Sequence, residues 1–242
     1  MKYYYKFKAK YQFLSFCAFS LMACTNGTLT TSNMNYAPFG QAYQFNGTSS
    51  YVQLAGTNQN FTSVATIEFF FQTNFSGATQ YFFNATGGNF DIFMNSGGTI
   101  QFNSPNAGGC TGTTGGTTSG SYNDGNLHYL TVVHTNSNSN LYIDGYQVQT
   151  FAHTNFTTCT FTGFYIGSQS GTTFYFSGLM DEFRFSNVTR YGGSFSIPQN
   201  PFQSDGSTLD LFHFDNSTNN DFLSGGGTYN PINISKVFSP FL

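Results

Sequence analysis

From residue 41 onward, apolar and polar residues alternate in short runs that break at clusters of Gly, Asn and Ser. "AYQFN", "SYVQLAG" and "VATIEFFFQTN" come first, followed at short intervals by "YFFNA", "NFDIFMN" and "GTIQFN". "LHYLTVVHT", "NLYIDGYQVQT", "FTGFYIGS", "FYFSGLMDEFRFSN" and "STLDLFHFD" complete the series. A period of two, carried by β-branched and aromatic residues, predicts strands. No stretch sustains the 3.6-residue period of an amphipathic helix. Asp144-Gly145 lies between two alternating runs and predicts a two-residue hairpin, because a type I′ turn needs positive φ at both central positions. Roughly a dozen strands with regular turn signals predict an all-β fold, a two-sheet antiparallel β-sandwich with little helix. One composition runs through residues 41–242, which predicts a single domain there. Within it, the Gly/Thr-rich residues 108–125 lose the alternation and read as a long flexible loop.

The first forty residues follow another pattern. "MKYYYKFKAKYQ" holds four of the five Lys, and "FLSFCAFSLMA" is an apolar run, shorter than the roughly 20 residues of a membrane-spanning helix. This is the layout of a signal peptide over residues 1–23. "LMAC", Leu21 to Cys24, resembles a bacterial lipobox, so Cys24 is the expected lipidation site; an ordinary secretory leader is the alternative. Residues 24–40 are polar and unpatterned and read as a tether. The expectation is an exported chain, lipid-anchored at the bacterial cell surface or outer membrane, or else secreted. Any membrane association would run through that anchor alone.

Composition narrows the partners. Charged residues make up 7% of the chain, aromatic residues 19%, and there is no Trp. Without residues 1–23, the cations Arg184, Arg190 and Lys236 stand against ten acids, a net charge of −7. Such a chain repels phosphate backbones, which excludes nucleic acid as a partner. Of four Cys, Cys17 leaves with the leader and Cys24 belongs to the lipobox. Cys110 and Cys159 remain, and in an exported chain they are expected to form one disulfide, with two free thiols as the alternative.

Several segments in order resemble the laminin G-like, concanavalin A-like jelly-roll family. "AYQFNGTSSYVQL" is similar to its opening strand pair, with Asn46 where Asp is usual, and "TSVATIEFFFQT" to the strand that follows, with Phe70 in a usual Trp place. "DGNLHYLTVVHTNSNSNLYIDGYQV" is similar to its centre through Asp124, His128 and Leu141–Gly145, with Leu127 replacing a Trp. "YIGSQSGTTFYFSGLMDEFRFSNVTRY" and "LDLFHFD" are similar to its late and closing strands. The resemblance spans about residues 40–216 and implies a jelly-roll sandwich that binds glycans or protein ligands. It also implies that the Asp181-Glu182 pair is a fold signature.

On a regular strand, Asp181 would share a face with Phe183 and Phe185, and Glu182 would pair with Arg184 on the other face. Asp181 would then need backbone N–H groups, a hydroxyl or a cation, and calcium is the one cofactor considered, with Asp181 as its nominee. Catalysis finds no support. A retaining glucanase needs two carboxylates about 5–5.5 Å apart, which relatives supply as Glu-x-Asp-x-x-Glu, whereas the only Glu here are Glu68 and Glu182. His128 and His134, six residues apart on one strand, lie too far apart to share a metal. The expected function is a non-catalytic cell-surface binding module for carbohydrate or glycoprotein. Tyr122, Phe174 and Tyr175 are the aromatic candidates near loop tips, with core or edge packing as their other reading. The alternative function is a structural or protein–protein interaction module of an envelope or phage-derived assembly, with no sugar site.

Overall fold

The computed structural model describes residues 39–61, 64–86, 90–104, 114–152, 159–215, 222–223 and 227–238. The expected leader, Cys24 and all but the last two residues of the tether lie outside these residues. The strands in chain order are β1 (Gln41–Asn46), β2 (Tyr51–Phe61), β3 (Ala65–Gln72), β4 (Gln80–Ala85), β5 (Asp91–Met94), β6 (Thr99–Ser104), β7 (Thr114–Ser121) and β8 (Leu127–His134). β9 (Asn138–Ile143), β10 (Tyr146–Ala152), β11 (Cys159–Ile166), β12 (Ser177–Ser186), β13 (Thr208–Phe212), β14 (Phe222–Leu223), β15 (Thr228–Ile232) and β16 (Ser235–Phe238) follow, and the described residues contain no helix. They form two antiparallel sheets, as predicted. One has nine strands, β10-β9-β8-β3-β12-β1-β16 with β13 beside β12 and β14 beside β13; the other has seven, β15-β2-β11-β4-β5-β6-β7.

Alternate side chains from the two inner faces make the core. Ile67, Phe69 and Phe71 of β3 and Leu130 and Val132 of β8 meet Phe82, Phe83, Phe164 and Ile166 from the opposite sheet. Phe183 sits among Phe69, Phe83, Phe164 and Phe212 with centroids 5.8–6.0 Å away. At one side the sheets meet where Phe151 of β10 stacks on Phe102 of β6. At the other, β15 joins β2 in the seven-stranded sheet while β16 joins β1 in the nine-stranded one.

Three sequence features have clear local causes. Asp144 and Gly145 both take positive φ, 53° and 80°, as the predicted turn requires. Gly145 also lies against the Phe195 carbonyl, leaving no room for a Cβ. Asn46 replaces the usual Asp without loss of the turn: its Oδ1 accepts the N–H groups of Thr48, Ser49 and Ser50 at 2.9, 2.9 and 3.1 Å.

The outer face of the nine-stranded sheet is covered over β3, β8 and β12. Phe70, Tyr129, Phe202 and Leu211 form a second apolar cluster, with Phe39, Leu127, Phe195 and Ile197 packed on it. Every residue of β3 is therefore buried, and a strand covered on both faces reads as the near-continuous run "ATIEFFFQ" rather than as an alternation.

Two expectations need correction. Residues 108–125 are not one loop, because Thr114–Ser121 is strand β7, paired along β6. As an edge strand it needs little apolar pattern; Thr118 anchors it by accepting the Ile100 N–H at 3.0 Å. The expected Cys110–Cys159 disulfide is not found either. Residue 110 lies outside the described residues, and of Cys159 only the backbone is described, opposite Phe61 on β2. The strands flanking residue 110, β6 and β7, stand three and four places from β11 in the sheet.

Candidate ligand-binding face

The acidic segment of β12 serves the fold, though not as a regular strand would have it. β12 forks: residues 177–180 pair with β1, and residues 183–186 pair with β13. Between them the register against β3 slips, with Asp181 opposite Phe70 but Arg184 opposite Glu68. Glu182 takes φ 53° in this bulge. Two residues then oppose one, so Phe183 and Phe185 enter the core without Asp181, and the expected shared face is corrected. Asp181 accepts the N–H of Phe39 at 3.3 Å and of Glu182 at 2.9 Å, plugging the gap where β1 leaves. Glu182 accepts the Phe202 N–H at 2.8 Å and binds His213 Nδ1 at 2.6 Å. Burial, with the Glu182 charge beside it, holds the Asp181 carboxyl well above its ordinary range.

The expected Glu182–Arg184 pair is likewise replaced. Arg184 Nε and Nη2 reach Glu68 Oε1 at 2.7 and 2.6 Å across the β12–β3 ladder. The other carboxylate oxygen of Glu68 accepts the Tyr129 hydroxyl and, at 2.8 Å, that of Tyr191. Arg184 lies over the Phe202 ring, and Tyr191 stacks on Phe195. Glu68 thus clamps the covering segment to the sheet. Both glutamates are engaged in holding this layer, not set as an acid and a nucleophile.

Calcium does not fit Asp181. Its oxygens are taken by backbone N–H groups, and the described residues hold no set of three His, Cys, Asp or Glu side chains placed for a metal. The Asp124-His128-Asp144 set is a pin of the same kind. His128 Nδ1 meets Asp144 at 2.8 Å and Nε2 meets Asp124 at 3.2 Å, while Asp144 also accepts the Tyr129 N–H at 2.8 Å. Burial pulls the imidazole pKa down, but the two carboxylates outweigh it and raise it overall. Tyr122 packs edge-on to this histidine and against the core.

The outer face of the seven-stranded sheet is different. On β5, Ile92 and Met94 enter the core, so Asp91 and Phe93 face outward. On β4 a register slip between Tyr81 and Phe83 sends Phe82 and Phe83 inward and leaves Tyr81 and Asn84 outward. The segment between β11 and β12 folds over them. Gln169 and Thr173 bridge, the Phe174 carbonyl accepts the Tyr81 N–H at 2.9 Å, and Asn84 Oδ1 accepts the Ser170 N–H at 3.0 Å.

These contacts build a stack of three rings. Phe93 and Tyr81 lie 4.9 Å apart and nearly parallel, and Phe174 caps Tyr81 at 5.7 Å. Tyr81 and Phe93 are 8% and 9% exposed, but Phe174 is 46% exposed. It holds φ 50° to present that ring, a strained conformation for a residue with a side chain. Around the stack, Asn84 donates to Asp91 Oδ1 at 2.6 Å, Gln169 to the Tyr81 hydroxyl at 3.2 Å, and Gln101 to Asn103 Oδ1 at 2.9 Å. Burial and then the Asp91 charge push the Tyr81 phenol up to about 12. Tyr175 bonds the Gly171 carbonyl at 2.8 Å and tilts against Tyr51, half-buried beside the stack.

Sequence reasoning found Phe174 and Tyr175 but missed Tyr81, Phe93 and Asp91. The signal was present in "NFDIFMN", where Ile92 and Met94 alternate with Asp91 and Phe93. No sequence pattern announces the slip in β4.

A family model described as the concanavalin A-like lectin/glucanases superfamily matches residues 46–192, more than half of the chain. The chain belongs to this superfamily. Among solved structures of similar fold is a Bacteroides ovatus protein with a provisional carbohydrate-binding assignment. It has 15% identity and a TM-score of 0.61, over 83% of this chain and 60% of that one. A heptameric SAP-like pentraxin from Limulus polyphemus has 11% identity and a TM-score of 0.55, over 84% and 97% of the two chains. Mouse laminin alpha1 domains LG4-5 have 18% identity and a TM-score of 0.49, over 69% of this chain and 44% of that one. The superfamily member described here therefore spans less than two thirds of the Bacteroides and laminin chains. No curated protein matches it by sequence.

Proposed function

We propose that this chain is a non-catalytic binding module for carbohydrate or glycoprotein, and that the ligand lies on the outer face of the seven-stranded sheet. The exposed Phe174 ring at the end of its stack carries the reading. An aromatic face takes the C–H side of a sugar ring, and amides or hydroxyls beside it take the sugar hydroxyls. Because the segment is hydrogen-bonded to β4 before any ligand arrives, little ordering remains for binding to cost. The superfamily and the Bacteroides protein's carbohydrate-binding assignment support the same reading.

A glycan array probed with the full chain tests it. Phe174→Ala should weaken any bound glycan by about tenfold or more, ~1.4 kcal/mol, whereas Phe174→Trp should retain it. Unchanged affinity in Phe174→Ala would move the site elsewhere. Failure of the folded chain to bind any glycan would favour a protein-interaction module. We also propose export with lipid attachment at Cys24, on the leader and lipobox pattern of residues 1–24. The mass of the mature amino terminus should show a diacylated Cys24, and an unmodified terminus would refute attachment.

A further inference from the structure

We infer that the Phe174 face selects neutral glycans and rejects carboxylated or sulfated ones. The inference rests on the carbohydrate reading above and specifies its ligand class. After residue 10 the chain has three cations, Arg184, Arg190 and Lys236. None lies on a strand of the seven-stranded sheet or in the segment between β11 and β12. Arg184 is bound to Glu68 on the far side of the sandwich, and Arg190 is held there by Asp205 through paired contacts at 2.9 and 3.0 Å. Lys236 is on β16 of the nine-stranded sheet, donating to the Asp215 carbonyl at 3.1 Å. Packed sheets stand about 10 Å apart, and the Arg184 and Arg190 side chains beyond the far sheet lie further still, past the ~8 Å screening length at physiological salt; Lys236 lies over the Tyr43 ring beside β15, three places along the sheet from β4. None of these three cations reaches a ligand at Phe174.

What the face does offer suits hydroxyl groups. Gln53, Gln101 and Gln169, partly exposed here, carry amides with both a donor and an acceptor, as a sugar hydroxyl does. A carboxylate or sulfate only accepts, so it would use half of each amide and leave the other half unmatched. Among the described residues the charged group on this face is Asp91, which sits beside Tyr81 in the stack and repels an anion. A cation-bridged route is not built in either, since the described residues hold no metal-binding set.

The test is titration of the full chain against neutral glucan, mannan, galactan and N-acetylglucosamine oligosaccharides, each beside its carboxymethylated or sulfated derivative, at 0.15 M and 1 M salt. We expect a neutral ligand whose acidic derivative binds at least tenfold more weakly at both salt concentrations. Gln101→Lys should raise binding of the acidic derivative. Equal or tighter binding of an acidic derivative, lost in Phe174→Ala, would overturn the selectivity and leave the carbohydrate reading standing. A preference that disappears at 1 M salt would belong to the chain's net charge and would also overturn it. Binding of no glycan by folded protein would overturn the carbohydrate reading and the selectivity with it.

Discussion

Glu68→Ala is expected to lower folding stability by about 3–5 kcal/mol, the usual loss when one partner of a buried ion pair is removed. Glu68 is fully buried and receives Arg184 on one oxygen and the hydroxyls of Tyr129 and Tyr191 on the other. Its removal strands the Arg184 guanidinium, itself nearly buried, and frees two hydroxyls that bridge to the covering layer. Arg190, 3.6 Å away, loses a counter-charge as well, although Asp205 still holds it. Urea denaturation gives the size of the loss. The double variant Glu68→Ala/Arg184→Ala should lose less than the sum of the two single variants, because the second change removes the stranded charge. Protease cleavage within residues 187–205 should rise in parallel. A loss below about 1 kcal/mol would mean that water reaches the pair and that it behaves as an exposed one.

Asp210 governs the second large effect, which depends on pH. Its side chain is fully buried on β13 opposite Phe185, and burial raises the carboxyl from 3.8 to about 7. With the folded value above the unfolded one, its contribution is fully present below pH 3.8 and is lost as pH rises through about 7. A shift of roughly three units corresponds to about 4 kcal/mol, with a slope approaching ~1.4 kcal/mol per pH unit between the two values. Urea midpoints should therefore fall from pH 5 to pH 8. Asp210→Asn, which cannot ionise, should remove its share of that slope. Asp181 and Glu182 are raised in the same direction by burial, so a residual slope should persist. Asp205 acts oppositely: Arg190 depresses it, so its smaller, solvent-screened contribution is lost only as pH falls below the ordinary carboxylate range. A wild-type midpoint flat from pH 5 to 8 would refute the assignment.

How far the chain could be read in advance differs by element. The Asp144-Gly145 hairpin was legible because its turn chemistry is local. β7 was not, because an edge strand of Gly and Thr has no core pattern to display. The Asp181-Glu182 segment showed its composition but not its geometry. A register slip depends on where β1 and β13 part from β12, and that is a property of three strands distant in the chain. The candidate face divides in the same way. Phe174 stands in a Gly/Ser/Thr-rich segment and drew notice, while Tyr81 and Phe93 became its supports only once β4 and β5 were paired. Such stacks are assembled by tertiary structure from residues that look like ordinary core aromatics.

β1 is the first described strand, yet it does not lie at an edge: β12 flanks it on one side and β16, the last described strand, on the other. Phe39, just before it, is fastened to the Asp181 bulge, and Gln41, its first residue, to the Asp215 carboxylate at 2.6 Å. A pull on the chain ahead of β1 must therefore break two ladders and these fastenings together, rather than peel one strand from a rim. In mechanical terms the load enters one strand in from the rim, and each end of the described chain serves as the other's latch.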